Sequence, residues 1–126
     1  MDLASSSAGS LQIRLLTVDD PAALVALFEE VLPGFKESMQ DDGPSAFLYN
    51  PASFALGAYL DNGEPAGLGW GLQMRAPSGR LTTYLHELDV RVEWRRRGIG
   101  AAQALYASLG GDRKPPGDVN YWWTLD

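Results

Sequence analysis

The chain has 126 residues, 45% of them hydrophobic, and a formal charge of −6. That is enough apolar material for one packed domain, and too acidic a balance for a nucleic-acid-binding surface. No cysteine and a single histidine exclude disulfides, a cysteine nucleophile and multi-histidine metal centres, so no metal is expected. No run of about 18 apolar residues marks a membrane-spanning helix, and together these features suit a cytoplasmic protein.

In chain order, Met1–Ser10 is small and polar, without a basic start or an apolar segment. It reads as a mobile leader rather than a secretory signal, followed by a single domain over 11–126. Leu11–Leu16 alternates as a strand does. Asp20-Pro21 opens a helix: Asp20 is placed to cap free N–H groups, and Pro21 lacks the N–H that the first turn leaves unpaired. Leu24, Leu27, Phe28 and Val31 follow at helical spacing, and Pro33-Gly34 ends the helix. Phe35–Pro51 is irregular. Asp41-Asp42-Gly43-Pro44 signals a turn between two short helical pieces, the second near Ser45–Asn50.

Ser53–Leu60 is a strand, and Asp61-Asn62-Gly63-Glu64 is a hairpin signal. Ala66–Met74 returns as the next strand. Gly67, Gly69 and Gly71 leave one of its faces without side chains, open to another backbone or a ligand. Pro77-Ser78-Gly79 turns into a third strand, Leu81–Val92, rich in β-branched and aromatic residues. A helix over Gly98–Leu109 carries Ile99, Ala102, Leu105, Tyr106 and Leu109 on one face. Gly110-Gly111 caps it, Asp112–Asp118 is a loop, and Val119–Leu125 reads as a last strand. There are no internal repeats.

Strand and helix are joined by Arg95-x-x-Gly98-x-Gly100. Glycines let a ligand approach the backbone, N–H groups at a helix start favour an anion, and three consecutive arginines supply forked donors for phosphate oxygens. The physical reading is a pyrophosphate cradle. The loop is neither a Walker loop nor a Gly-x-Gly-x-x-Gly fingerprint. The basic residues gather at Arg91 and Arg95–Arg97 on an acidic chain, a pattern that suits one small anionic cofactor and a cationic second substrate.

Tyr84-Leu85-His86-Glu87-Leu88-Asp89-Val90 followed by Trp94-Arg95-Arg96-Arg97-Gly98-Ile99-Gly100 resembles the acetyl-CoA-binding motif of the GNAT superfamily of N-acetyltransferases. Within it, the chain is most similar to aminoglycoside 3-N-acetyltransferases. The specific part of the resemblance covers Tyr84–Ala101. It implies an α/β (α+β) fold, a mixed and mostly antiparallel sheet flanked by helices. The chain stops at Asp126, where such proteins continue with another helix and two strands, so the resemblance implies a domain shortened at its C-terminus. The family's usual tyrosine general acid has no matching position. An exposed strand Val119–Leu125 invites pairing with a second copy, and a homodimer through it is expected.

The resemblance implies acetyl-CoA as co-substrate, bound by Leu88, Asp89 and Val90 along its pantetheine arm and by Arg95, Arg96, Arg97, Gly98, Ile99, Gly100 and Ala101 at its pyrophosphate. It implies Glu87 as general base. Physically, a carboxylate in a partly enclosed cleft can have its pKa raised towards neutrality, which suits proton abstraction. Asp89 shares the face of Glu87 on a regular strand. There the pair binds an amine or shifts each other's pKa, or Asp89 faces solvent. His86 faces the other way unless a bulge intervenes. The resemblance sets Phe35–Pro51 over the acceptor side, where Asp41 and Asp42 suit a cationic substrate. The expected activity is acetyl transfer to a primary amine of a small cationic, aminoglycoside-like molecule. The alternatives are a catalytically impaired acetyl-CoA-binding remnant and an interaction module whose loop binds nothing.

Overall fold

The computed structural model describes residues 11–95 and 101–109. Four strands form one antiparallel sheet in chain order: β1 (Gln12–Leu15), β2 (Ser53–Tyr59), β3 (Pro65–Arg75) and β4 (Leu81–Val90). Helices α1 (Pro21–Val31), α2 (Phe35–Ser38) and α3 (Gly43–Tyr49) lie between β1 and β2, and α4 (Ala101–Ser108) follows β4. The leader Met1–Ser10, the loop residues Arg96–Gly100 and everything from Gly110 onward lie outside the described residues. That includes the cap Gly110-Gly111, the loop Asp112–Asp118 and the strand Val119–Leu125, with the homodimer expected through it.

Strand alternation sorts the apolar residues into two cores, one on each face of the sheet. On one face Phe54, Leu56, Ala58, Ala66, Leu85, Leu88 and Val90 pack with Ala101 and Leu105 of α4. On the other, Ala55 and Leu68 pack with Leu24, Leu27, Phe28 and Val31 of α1 and with Leu48 of α3. The glycines of β3 belong to the α4 face. A Cβ on Gly67 would stand 2.9 Å from the carbonyl oxygen of Asp89 and 3.4 Å from Leu105 Cδ1, and one on Gly69 would stand 3.3 Å from Leu88 Cδ1. Core side chains fill the space that the glycine stripe leaves open.

Helix α1 begins at Pro21, and all four spaced apolar residues are buried. Asp20 holds the N-cap position but makes no side-chain cap bond. Its carboxylate turns back and accepts the Thr17 N–H at 2.8 Å and the Thr17 hydroxyl at 3.1 Å. Those bonds hold its pKa below the ordinary carboxylate value. Helix α3 starts two residues earlier than the turn signal implies, because Gly43-Pro44 forms its first turn and Asp42 its N-cap position. Both hairpin turns carry a glycine at positive φ, Gly63 at 86° and Gly79 at 90°.

Strand β4 ends at Val90, two residues short of expectation, and Val92–Trp94 forms a 3₁₀ turn. Arg91 marks the change. Its N–H still donates to Ala66 O at 2.8 Å, but its own carbonyl accepts the N–H of Trp94. Its guanidinium is held by Glu64 at 3.1 Å, Glu30 at 3.4 Å and Glu93. Arg91 therefore serves the strand terminus, and three carboxylates offset the charge it would otherwise add to a basic spot.

Candidate active site

The site is organised by one extra residue in β4. The ladder with β3 runs Leu72↔Tyr84 and Gly71↔Leu85, then Trp70↔Glu87, so His86 has no opposite residue. A Cβ on Gly71 would lie 1.9 Å from Tyr84 O and 2.9 Å from His86 N. Only a glycine lets the bulged strand come so close. Because of the bulge, Leu85 and Leu88, three residues apart, both enter the α4-side core. His86 and Glu87, adjacent in sequence, both reach Trp70 on the opposite face. The His86 and Trp70 rings lie 4.4 Å apart between centroids and are tilted by 32°. Trp70 Nε1 donates to Glu87 Oε1 at 2.9 Å. An indole N–H in a half-buried setting needs an acceptor, and the carboxylate supplies one while being fixed in place.

Glu87 and Trp70 form the floor of a cleft of about 270 Å³, walled by α1, α2, α3 and the connection between the last two. Its walls are apolar: Leu24 and Phe28 from α1, Leu32 and Phe35 around the start of α2, Met39, and Pro44 and Phe47 from α3. Phe28 and Phe35 pack with centroids 5.1 Å apart, and Phe47 meets Trp70 edge-on at 5.8 Å. Among the described residues, Glu87 is the one charged residue of the lining, and Ser38 and Gln40 are polar. The α2 wall is tied to α1 by Glu29, whose carboxylate accepts the N–H of Lys36 at 2.8 Å and of Gly34 at 3.3 Å. These bonds, that of Lys36 foremost, hold the Glu29 pKa below its ordinary value. Asp41 and Asp42 are exposed, between Gln40 and Gly43, which line the cleft. Neither is part of the lining.

Asp89 lies opposite Leu68 on the same sheet face as Glu87 but outside the cleft lining. It is 6% exposed, and Arg95 Nη2 donates to its Oδ1 at 3.1 Å. Arg95 Nε also donates to Val90 O at 2.8 Å. These two bonds fasten the first residue of the arginine–glycine loop to the end of β4. Ala101, the first residue of α4, is buried in the α4-side core. Arg96, Arg97, Gly98, Ile99 and Gly100 lie outside the described residues.

Backbone polar groups on an antiparallel strand alternate between its two edges. The Arg91 N–H and the Asp89 carbonyl face β3. Those of Leu88 and Val90 therefore point to the outer edge, which bears no strand among the described residues. Arg95 takes the Val90 carbonyl. The N–H and C=O of Leu88 and the N–H of Val90 suit an extended, amide-bearing arm laid along that edge as an added strand.

Sequence reasoning set Phe35–Pro51 over the acceptor side but named neither its apolar wall residues nor Trp70. A signal for the bulge was present: apolar residues at Leu85, Leu88 and Val90 break the period of two by one residue. Trp70, half-buried on a strand with glycines on either side, carries an indole N–H that calls for a partner.

This fold is that of the GNAT acetyltransferases. The chain is similar in structure to an aminoglycoside acetyltransferase from an uncultured soil metagenomic sample, solved with sisomicin. The TM-score is 0.69 at 18% identity, over 81% of this chain and 68% of that one. A second soil-metagenome aminoglycoside acetyltransferase, HMB0005, gives 0.66 at 23% identity over 93% and 79%. The ribosomal-protein-alanine N-acetyltransferase of Brucella melitensis biovar Abortus 2308 gives 0.60 at 24% over 79% and 68%. No family model and no curated protein matches the chain.

Proposed function

We propose that the chain is an acetyl-CoA-dependent N-acetyltransferase acting on a primary amine, in the cytoplasm. The observation that carries the reading is the bulge at His86, which sets Glu87 in the lining of an open, mostly apolar cleft and hands its carboxylate a fixed donor from Trp70. A GNAT fold around that carboxylate supports acetyl transfer to an amine. The donor thioester supplies an activated acetyl group. Its arm fits the outer edge of β4, at Leu88 and Val90, and an N–H aimed there can polarise a carbonyl.

The residues of the chain divide the work. Arg95, held by Asp89, fixes the direction in which the loop leaves β4. In this reading Arg95–Ala101 cradle the pyrophosphate through backbone N–H groups, with Arg96 and Arg97 adding positive charge. The acceptor arrives as an ammonium and must lose a proton before its nitrogen can attack. Glu87 draws the ammonium in and takes that proton, directly or through one water. The bond from Trp70 occupies one carboxylate oxygen and leaves the other for the amine. Asp41 and Asp42, exposed and next in sequence to the lining residues Gln40 and Gly43, raise the local concentration of a cationic acceptor. The similarity to aminoglycoside acetyltransferases supports a small-molecule acceptor.

Calorimetric titration of the 126-residue chain with acetyl-CoA, followed by an amine-acetylation assay, tests the reading. Binding in the micromolar range is expected. Glu87→Gln should lower turnover by at least about a hundredfold with unchanged cofactor affinity. Absence of cofactor binding at millimolar concentration, or full turnover in Glu87→Gln, overturns it.

A further inference from the structure

We propose that the acceptor is a primary amine carrying one apolar, ring-sized group rather than a polycation. The inference rests on the acetyltransferase reading and concerns what fills the cleft above Glu87. A molecule with several ammonium groups needs several carboxylates or polar groups in the site, since each buried charge left unpaired is costly. Among the described residues the lining offers one carboxylate, that of Glu87, with Ser38 and Gln40 as its uncharged polar side chains. The rest is mostly apolar and aromatic, with Phe28, Phe35, Met39, Phe47 and the ring of Trp70. Asp41 and Asp42 are exposed and outside the lining.

The arrangement therefore has one cationic subsite and one apolar subsite. A single ammonium pairs with Glu87, and an attached ring displaces water from the aromatic walls. A volume of about 270 Å³ is near the lower end of small-molecule pockets, and matches one ring with a short aliphatic link to nitrogen. Burying such a ring raises affinity by about 10- to 100-fold over the same amine without it.

The test titrates the full chain, alone and with coenzyme A present, with three amines: 2-phenylethylamine, ethylamine and sisomicin. 2-Phenylethylamine is expected to bind at least about tenfold more tightly than either of the others. Met39→Ser and Phe47→Ser should each weaken it several-fold, and by more than they weaken ethylamine. Met39 lies between helices, so that variant keeps the fold should Phe47→Ser lose it, as circular dichroism would report. Equal affinity for 2-phenylethylamine and ethylamine, tighter binding of sisomicin, or no binding of any amine in either state overturns the proposal. The outcome is separable from the parent reading. Tight 2-phenylethylamine binding without acetyl transfer sinks the enzyme assignment alone. Efficient sisomicin acetylation with poor 2-phenylethylamine use sinks this proposal alone.

Discussion

Replacing Gly71 by alanine adds one carbon at the point on which both the fold and the site depend. An ideal Cβ there lies 1.9 Å from Tyr84 O and 2.9 Å from His86 N, both backbone atoms. Ordinary contact needs more than 3 Å, so β4 must retreat by over an ångström or the bulge must be expelled. Overpacking of this kind costs about 1–3 kcal/mol. Gly→Ala also lowers the entropy of the unfolded chain and by itself stabilises by about 0.4–1 kcal/mol. Gly69→Ala isolates that favourable part. Its new carbon would meet Leu88 Cδ1 at 3.3 Å, the mobile end of a side chain, so its stability should stay within about 1 kcal/mol of the parent. Expelling the bulge at Gly71 slips the register by one and turns side chains on one side of it to the other face. Either Glu87 then turns into the α4-side core and Leu88 out of it, or Leu85 leaves that core. Urea unfolding should show the Gly71→Ala midpoint lower by roughly 1 M, at a slope of 1–3 kcal/mol/M. Acetyl transfer should fall with it, even in protein that remains folded. Parental stability and turnover in Gly71→Ala, with Gly69→Ala equally silent, would refute the argument that the bulge places Glu87.

Trp70→Phe keeps the ring wall but removes the donor to Glu87. A hydrogen bond to a charged group contributes about 1.5–3 kcal/mol, so kcat/KM should fall by at least about tenfold while the unfolding midpoint moves little. Asp89→Asn removes the partner of Arg95 and frees the start of the loop. Calorimetry should find acetyl-CoA affinity reduced about tenfold with 2-phenylethylamine affinity unchanged. Glu29 has a folded-state pKa below its ordinary value of 4.5. Its contribution to stability is therefore present above that value and is lost as pH falls through the depressed folded value. Glu29→Gln should flatten the acid limb of the stability–pH curve while leaving the curve's shape above pH 6 unchanged, and an unaltered acid limb would show that the α1–α2 tie is idle.

Much of this could be read along the chain, because short-range physics places it there. Leu24, Leu27, Phe28 and Val31 mark one helix face through their spacing alone. Asn62-Gly63 and Ser78-Gly79 mark turns because glycine tolerates positive φ. The motif from Tyr84 to Ala101 marked the strand that bears Glu87. Less was legible where two partners compete for one group. Asp20 had a helix end and Thr17 within reach, and took Thr17. Arg91 read as part of a basic spot, but Glu30 and Glu64 from distant segments surround it, together with Glu93 two residues on.

The sequence by itself determined the order of strands and helices, the hairpin turns, and the chemistry available on β4, since all of these follow from periodicity and residue type. Tertiary structure decided which residues meet. Whether His86 joins Glu87 or opposes it depends on Gly71 across the ladder. Whether Trp70 is core or site depends on the carboxylate that its indole finds. The cleft exists only because three helices, each unremarkable alone, stop short of one another above that pair. Such contacts join residues 15 positions apart for Gly71 and His86, 17 for Trp70 and Glu87 and 23 for Phe47 and Trp70, and no local rule of the chain can specify them.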